Sequence, residues 1–148
     1  LVSTSRFHCA IDDKGLSCWG NLNEYNDRPM PVLNNPFSLT SSSEHACAIE
    51  NSQVYCWGDD FHGKLDPPQL SNPTKVVAGP QHTCALDNTG VVCWGGSGFG
   101  EIDVPELKNP TNITLGYRYT CATDDSGLVC WGWNGFSGKP VPLKNPLM

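Results

Sequence analysis

The sequence predicts an all-β domain assembled from four copies of one small antiparallel unit, and three observations carry that prediction. One short block recurs four times, the eight cysteines fall into four pairs of a single spacing, and 15 Gly and 12 Pro are spread through the chain. Turn formers at that density break helices and suit many short strands. At 39% hydrophobic residues the 148-residue chain is too apolar for disorder and long enough to bury a core.

The recurring blocks are FHCAIDDKGLSCWG, HACAIENSQVYCWG, HTCALDNTGVVCWG and YTCATDDSGLVCWG. Self-similarity at a fixed period is the mark of a repeat architecture. A second landmark follows each block: LNNP at 33–36, LSNP at 70–73, LKNP at 107–110 and LKNP at 143–146. The distance from each of the first three prolines to the next first cysteine is constant, whereas the stretch from Trp to the following proline changes length from copy to copy. Insertions settle where no packed backbone is disturbed, so the segment after Trp-Gly is a loop. The chain divides into repeats of approximately 1–37, 38–75, 76–112 and 113–148, one repeat domain in all.

Within a block, Cys84-Ala-Leu and Val91-Val-Cys93-Trp94 flank the turn Asp87-Asn-Thr-Gly90, which reads as a β-hairpin. Pairing Asp87 with Gly90 sets Cys84 opposite Cys93, at a Cα separation a disulfide tolerates. The same arithmetic predicts bridges Cys9–Cys18, Cys47–Cys56, Cys84–Cys93 and Cys121–Cys130. Each closes a short loop and contributes roughly 2.7 kcal/mol on the chain-entropy model. Regular pairing of this kind indicates an oxidising compartment, hence a secreted or cell-surface protein, extracellular or periplasmic.

Both faces of the hairpin are apolar: Cys84, Leu86, Val91 and Cys93 on one, Ala85, Val92 and Trp94 on the other. A sheet of this kind must be covered on both sides. Flanking segments such as Lys75–Ala78 and Val104–Leu107 offer two further strands, and radial stacking of four-stranded units covers each with its neighbours.

The run GPQHTCALDNTGVVCWG, with Gly63-Lys-Leu65 or Gly100-Glu-Ile102 six residues after a Trp, resembles the regulator of chromosome condensation repeat. It is most similar to the compact secreted bacterial version with a cysteine pair in each blade. The resemblance covers all four repeats and implies a β-propeller. Two positions depart from the pattern: Gly79 and Gly116 are matched by Thr4 and Ser42, and His45 and His82 by Phe7 and Tyr119. The family usually closes with seven blades, so four repeats imply an incomplete ring, completed by further blades or by another copy. Its open ends are expected to show apolar residues such as Ala10, Val92 or Trp131.

Several chemistries are disfavoured. Formal charge is −6, with no stripe of Lys or Arg to neutralise phosphates, so no nucleic acid partner is expected. No apolar run is long enough to insert in a membrane as a helix. The cysteine spacing does not suit zinc, and the acidic hairpin turns lack a calcium-loop pattern, so no metal and no cofactor are expected. Asp12, Glu50, Asp87 and Asp124 instead cap their turns through backbone amides. Trp19, Trp57, Trp94 and Trp131 share one position, as do His45 and His82, and both sets read as packing residues. No nucleophile, base or carboxylate pair stands in a catalytic motif, so the chain is not expected to be an enzyme. Asn112-Ile-Thr114 is a glycosylation sequon, on the first strand of a blade.

Information about a partner must lie where the repeats differ. The loops after Trp carry Tyr25, Phe61, His62, Phe99, Trp133 and Phe136, aromatic anchors of the kind that dominate interfaces. Trp133 has no equivalent in the other repeats. The expectation is an extracellular binding or adhesion module for a protein or glycan on another cell or matrix. The alternatives are a secreted enzyme inhibitor, which the resemblance allows, or a spacer or cap of a surface fibre. The nuclear, nucleotide-exchange branch of the family fits poorly with disulfides and negative charge.

Overall fold

The computed structural model describes residues 1–21, 28–133 and 140–141. Its strands fall into four antiparallel sheets, one per repeat. The first blade holds β1 (Val2–Ser3), β2 (Phe7–Asp12) and β3 (Gly15–Gly20); the second holds β4 (Phe37–Ser41), β5 (His45–Glu50) and β6 (Gln53–Gly58). The third holds β7 (Lys75–Ala78), β8 (His82–Asp87) and β9 (Gly90–Gly95). The fourth holds β10 (Asn112–Gly116), β11 (Tyr119–Asp124), β12 (Gly127–Gly132) and β13 (Pro140–Val141).

Every hairpin has the predicted register, with Asp87 opposite Gly90 and Cys84 opposite Cys93 in the third blade and the same pairing in the others. All four predicted disulfides form, each with a Cα separation of 4.1 Å. The glycine after each Trp is required by the backbone. Gly95 has φ +106°, and a Cβ there would press on the Gln81 carbonyl and the His82 Cα.

One expectation needs correction. Val104–Leu107 is not a fourth strand, and the first three sheets have three strands among the described residues. The side chains of Val104 and Leu107 pack instead against Ala122, Val129 and Trp131 of the next blade. Lys108 donates its amide to Asp124 at 2.7 Å, so the segment is drawn into the junction between blades and away from the edge of β9. In the fourth blade the two-residue β13 pairs with Leu128 and Val129.

The acidic turn residues do more than cap their own turns. Asp87 accepts from the Thr89 amide and hydroxyl at 2.8 and 2.6 Å, and its other oxygen accepts from the Ser71 amide of LSNP at 2.8 Å. Asp124 repeats this with Ser126 and Lys108, and Glu50 holds the Asn34 and Asn35 amides. The two landmarks of the repeat are thus one clamp. Burial works against the Asp87 and Asp124 charges, but the amide and hydroxyl donors outweigh it and hold both carboxyls below their ordinary range.

Blades stack in one sense. Ala46, Ala48 and Trp57 of the second blade pack on Phe7 and Cys9 of the first. Cys47, Ile49, Val54 and Cys56, on the opposite face of the second blade, pack on Ala85 and Trp94 of the third. Val91 and Cys93 then meet Ala122 and Trp131 of the fourth. Each junction sets a disulfide face against a tryptophan face. First strands of successive blades also touch: Ser41 Oγ donates to the Ser3 carbonyl, and the Ala78 amide donates to Thr40 Oγ1. They line the inner side of an arc. Trp131, expected to be exposed, is buried, whereas Trp19 of the first blade is exposed; Ala10 and Val92 are half-buried.

Candidate partner-binding rim

The hairpin register places the start of each second strand beside the end of each third, so two kinds of segment share one rim. These are the turns at 4–6, 42–44, 79–81 and 116–118, and the loops that follow Trp-Gly. The turns are built alike: the Thr4, Ser42 and Gly79 amides donate to the carbonyls of Phe7, His45 and His82 at 2.8–2.9 Å. Gly116 is fixed by its neighbour, because the Tyr119 ring lies where its Cβ would stand.

Beneath the rim the buried histidines link blades. His45 meets Ser42 Oγ through Nδ1 at 2.7 Å and Thr83 Oγ1 through Nε2 at 2.9 Å. His82 Nε2 meets Thr120 Oγ1 at 2.7 Å. Thr83 and Trp94 donate to the Lys64 carbonyl, and Thr120 and Trp131 repeat this on the Glu101 carbonyl, at 2.8–3.0 Å. The resemblance motifs Gly63-Lys-Leu65 and Gly100-Glu-Ile102 therefore supply the carbonyl that satisfies the next blade's tryptophan. Burial lowers the His45 pKa to about 3, aided by the Lys64 charge, and that of His82 to about 4 against the opposing pull of Glu101. Lys64 is buried, with its ammonium 3.1 Å from Asp59 and 3.5 Å from Glu44.

Four of the six sequence candidates lie in described residues; Tyr25 and Phe136 lie outside them. Phe61 and His62 form a short 3₁₀ turn with Gly63, both exposed, their rings edge to face at 4.1 Å. Phe99 and Trp133, also exposed, come together edge to face at 6.5 Å although they belong to different repeats. The structure adds two residues to that pair. The Arg118 guanidinium carbon lies 4.1 Å from the Phe99 ring centroid and 4.7 Å from that of Tyr117, and Arg118 Nη2 donates to Tyr117 Oη. The Trp133 amide is anchored on the Arg118 carbonyl at 2.9 Å. Tyr117 and Trp133 remain about half exposed, at 54% and 46%.

Phe99, Tyr117, Arg118 and Trp133 thus form a pre-assembled aromatic and cationic platform. Tyr117 and Arg118 escape a sequence reading based on the loops after Trp, because they lie in the turn that precedes the second strand. The signal was present in the first turn, where Tyr117-Arg118 replaces Pro80-Gln81 and Ser43-Glu44. The opposite rim carries an open groove of about 780 Å³ between Asp87–Val91 and Val104–Thr111, walled by the repeated turns. Among the described residues no three His, Cys, Asp or Glu side chains gather as metal ligands, and no helix is long and apolar enough to cross a membrane.

Residues 74–101 match the regulator of chromosome condensation (RCC1) repeat. No curated protein sequence matches the chain. Among solved structures it resembles the ectodomain of the Physcomitrella patens receptor kinase CR4 at 25% identity and TM-score 0.65, covering 86% of this chain and 39% of that one. It resembles the CRINKLY WD40 ectodomain of the Arabidopsis thaliana receptor kinase ACR4 at 26% identity and TM-score 0.62, covering 88% and 48%. The structure of Kap60 bound to yeast RCC1 (Prp20) aligns at 18% identity and TM-score 0.69, covering 87% and 40%. The chain spans less than half of each of these relatives. The matched repeat covers one blade, residues 74–101, and the likeness to the solved propellers shows that the chain shares their fold.

Proposed function

We propose that this chain is an extracellular protein-binding module whose contact surface is the rim centred on Phe99, Tyr117, Arg118 and Trp133. The platform itself carries the proposal: three exposed aromatics and an arginine from two blades converge where the repeats differ most. Trp, Tyr and Arg are the residues that dominate interface energetics, and here they are held in place before any partner arrives. Four disulfides and the likeness to two receptor ectodomains support a location outside the cell or in the periplasm. A protein is favoured over a glycan because Arg118 brings a charge for an acidic partner group, and no catalytic constellation competes for this rim among the described residues.

The test is to probe arrays of extracellular proteins and of glycans with the wild-type chain and with Trp133→Ala and Arg118→Ala. Protein hits that lose about thirtyfold in affinity, with thermal stability unchanged, are expected. Hits confined to glycans, or protein hits indifferent to both substitutions, would refute the assignment.

A further inference from the structure

The outer edge of the third strand meets different fates in different blades. The hairpins share one register, so Leu16, Val91 and Leu128 occupy one position and turn their amides away from the second strand. In the first blade the Leu16 amide donates outward to the Leu33 carbonyl at 3.0 Å. In the fourth, Leu128 and Val129 pair with β13. Val91 has no such cover among the described residues, and the groove of about 780 Å³ lies beside it. An open sheet edge is a template for another strand.

The segment of the third blade that could close this edge is committed elsewhere. The Val104 amide donates to the Ile102 carbonyl at 3.0 Å, Pro105 has no amide, and Lys108 donates to Asp124. Val104 and Leu107 are held by the fourth blade. The slot thus sits inside the arc, in a blade packed on both sides by its neighbours. A smaller slot of about 400 Å³ recurs beside Val54 in the second blade.

What closes the same edge elsewhere shows what fits here: extended backbone, a carbonyl in the first blade and a two-residue strand in the fourth. The walls narrow the choice further. They include Asp87 and Glu106 and no Lys, Arg or His. Both Asp87 oxygens are taken by amides and a hydroxyl, whereas Glu106 stands exposed. We propose that this slot is a second interaction site, on the rim opposite the aromatic platform, and that it takes a short extended segment of a partner protein as a fourth strand of the blade. A carbonyl of that segment accepts from the Val91 amide, an apolar side chain lies against Val91 and Leu107, and a Lys or Arg meets Glu106. Main-chain bonds supply the affinity and the side chains the selectivity. The volume lies within the range of about 300–1,000 Å³ usual for ligand clefts.

The probe is a phage-displayed library of short random linear peptides panned on the chain, with recovered peptides synthesised and titrated. Peptides carrying Lys or Arg beside apolar residues should emerge, and hydrogen exchange at the Val91 amide should slow when they bind. N-methylation of the peptide at a pairing position should weaken binding about tenfold, and Glu106→Gln about fivefold. Val91→Pro removes the donor at a strand edge that tolerates proline, and should abolish binding. Trp133→Ala should change nothing, which separates this site from the platform. The exchange and N-methylation readouts use the wild type and decide the matter even where Val91→Pro does not fold. A library without binders, binders that leave Val91 exchange unchanged, or binders indifferent to N-methylation at every position would overturn the proposal.

Discussion

The first and third blades carry the same repeat yet use it differently. Trp94 donates to the Lys64 carbonyl from a buried site, whereas Trp19, at the same position, stands half in solvent. Phe7 packs on Ala46 across the first junction, whereas His82 bonds Thr120 across the third. A repeated residue takes its energetic role from the neighbouring blade, not from its own hairpin. Residues at the crossing point are also chosen in pairs, apolar with apolar and polar with polar. An imidazole is therefore dispensable at this position only if its partner changes too, a condition that packing alone does not impose.

The largest test of that contrast is truncation of the same residue at both places. Trp94→Ala should cost about 3–5 kcal/mol, chiefly through lost burial and the loss of one of the two donors to the Lys64 carbonyl, while Trp19→Ala should cost less than about 1 kcal/mol. Denaturant midpoints read both, and equal losses would mean that each blade is stabilised on its own.

Acid should break the polar junctions next. His45 and His82 have folded pKa values of about 3 and about 4, below the unfolded value of 6.5. The unfolded chain therefore takes up protons that the folded one refuses. Their stabilising contribution is complete above pH 6.5 and is lost as pH falls toward 4, by up to about 1.4 kcal/mol per pH unit for each histidine. The clamping carboxylates Asp87 and Asp124, held below their ordinary value of 3.8, add to the loss only below that pH. Melting curves between pH 7 and about 2 should fall in those two stages, and a flat profile from about 6.5 to 4.5 would contradict the buried neutral imidazoles.

The smallest effect is the most specific. His82→Phe and Thr120→Ala together convert the third junction to the composition of the first, where Phe7 faces Ala46. A double-mutant cycle should return a coupling of about 1 kcal/mol, the pair costing less than the sum of its members. Strict additivity would separate His82 from Thr120.

Much of this was legible in the sequence because it is local. The hairpin register, the four disulfides and the strand at Lys75–Ala78 follow from a tight turn and a two-residue alternation. The Val104–Leu107 segment does not form the expected strand because its side chains pack on Trp131 and Ala122, in the next blade and outside the reach of a local pattern. Phe99 and Trp133 were legible as candidates, but their union through Tyr117 and Arg118 was not, since it joins a turn of one blade to the loop of another.

The sequence by itself determined the repeat, its hairpins, their cross-links and the rim on which the copies differ, because each rests on contacts within some ten residues of chain. Only the tertiary structure decided what each repeated residue does: which tryptophan is buried, which histidine finds a hydroxyl, and why the turn carboxylate and the LxNP motif recur together. Those contacts cross from 16 to 38 residues of chain, as from Ser71 to Asp87 and from His45 to Thr83. Their partners are set by how blades stack, and stacking depends on shape and burial that no single repeat contains.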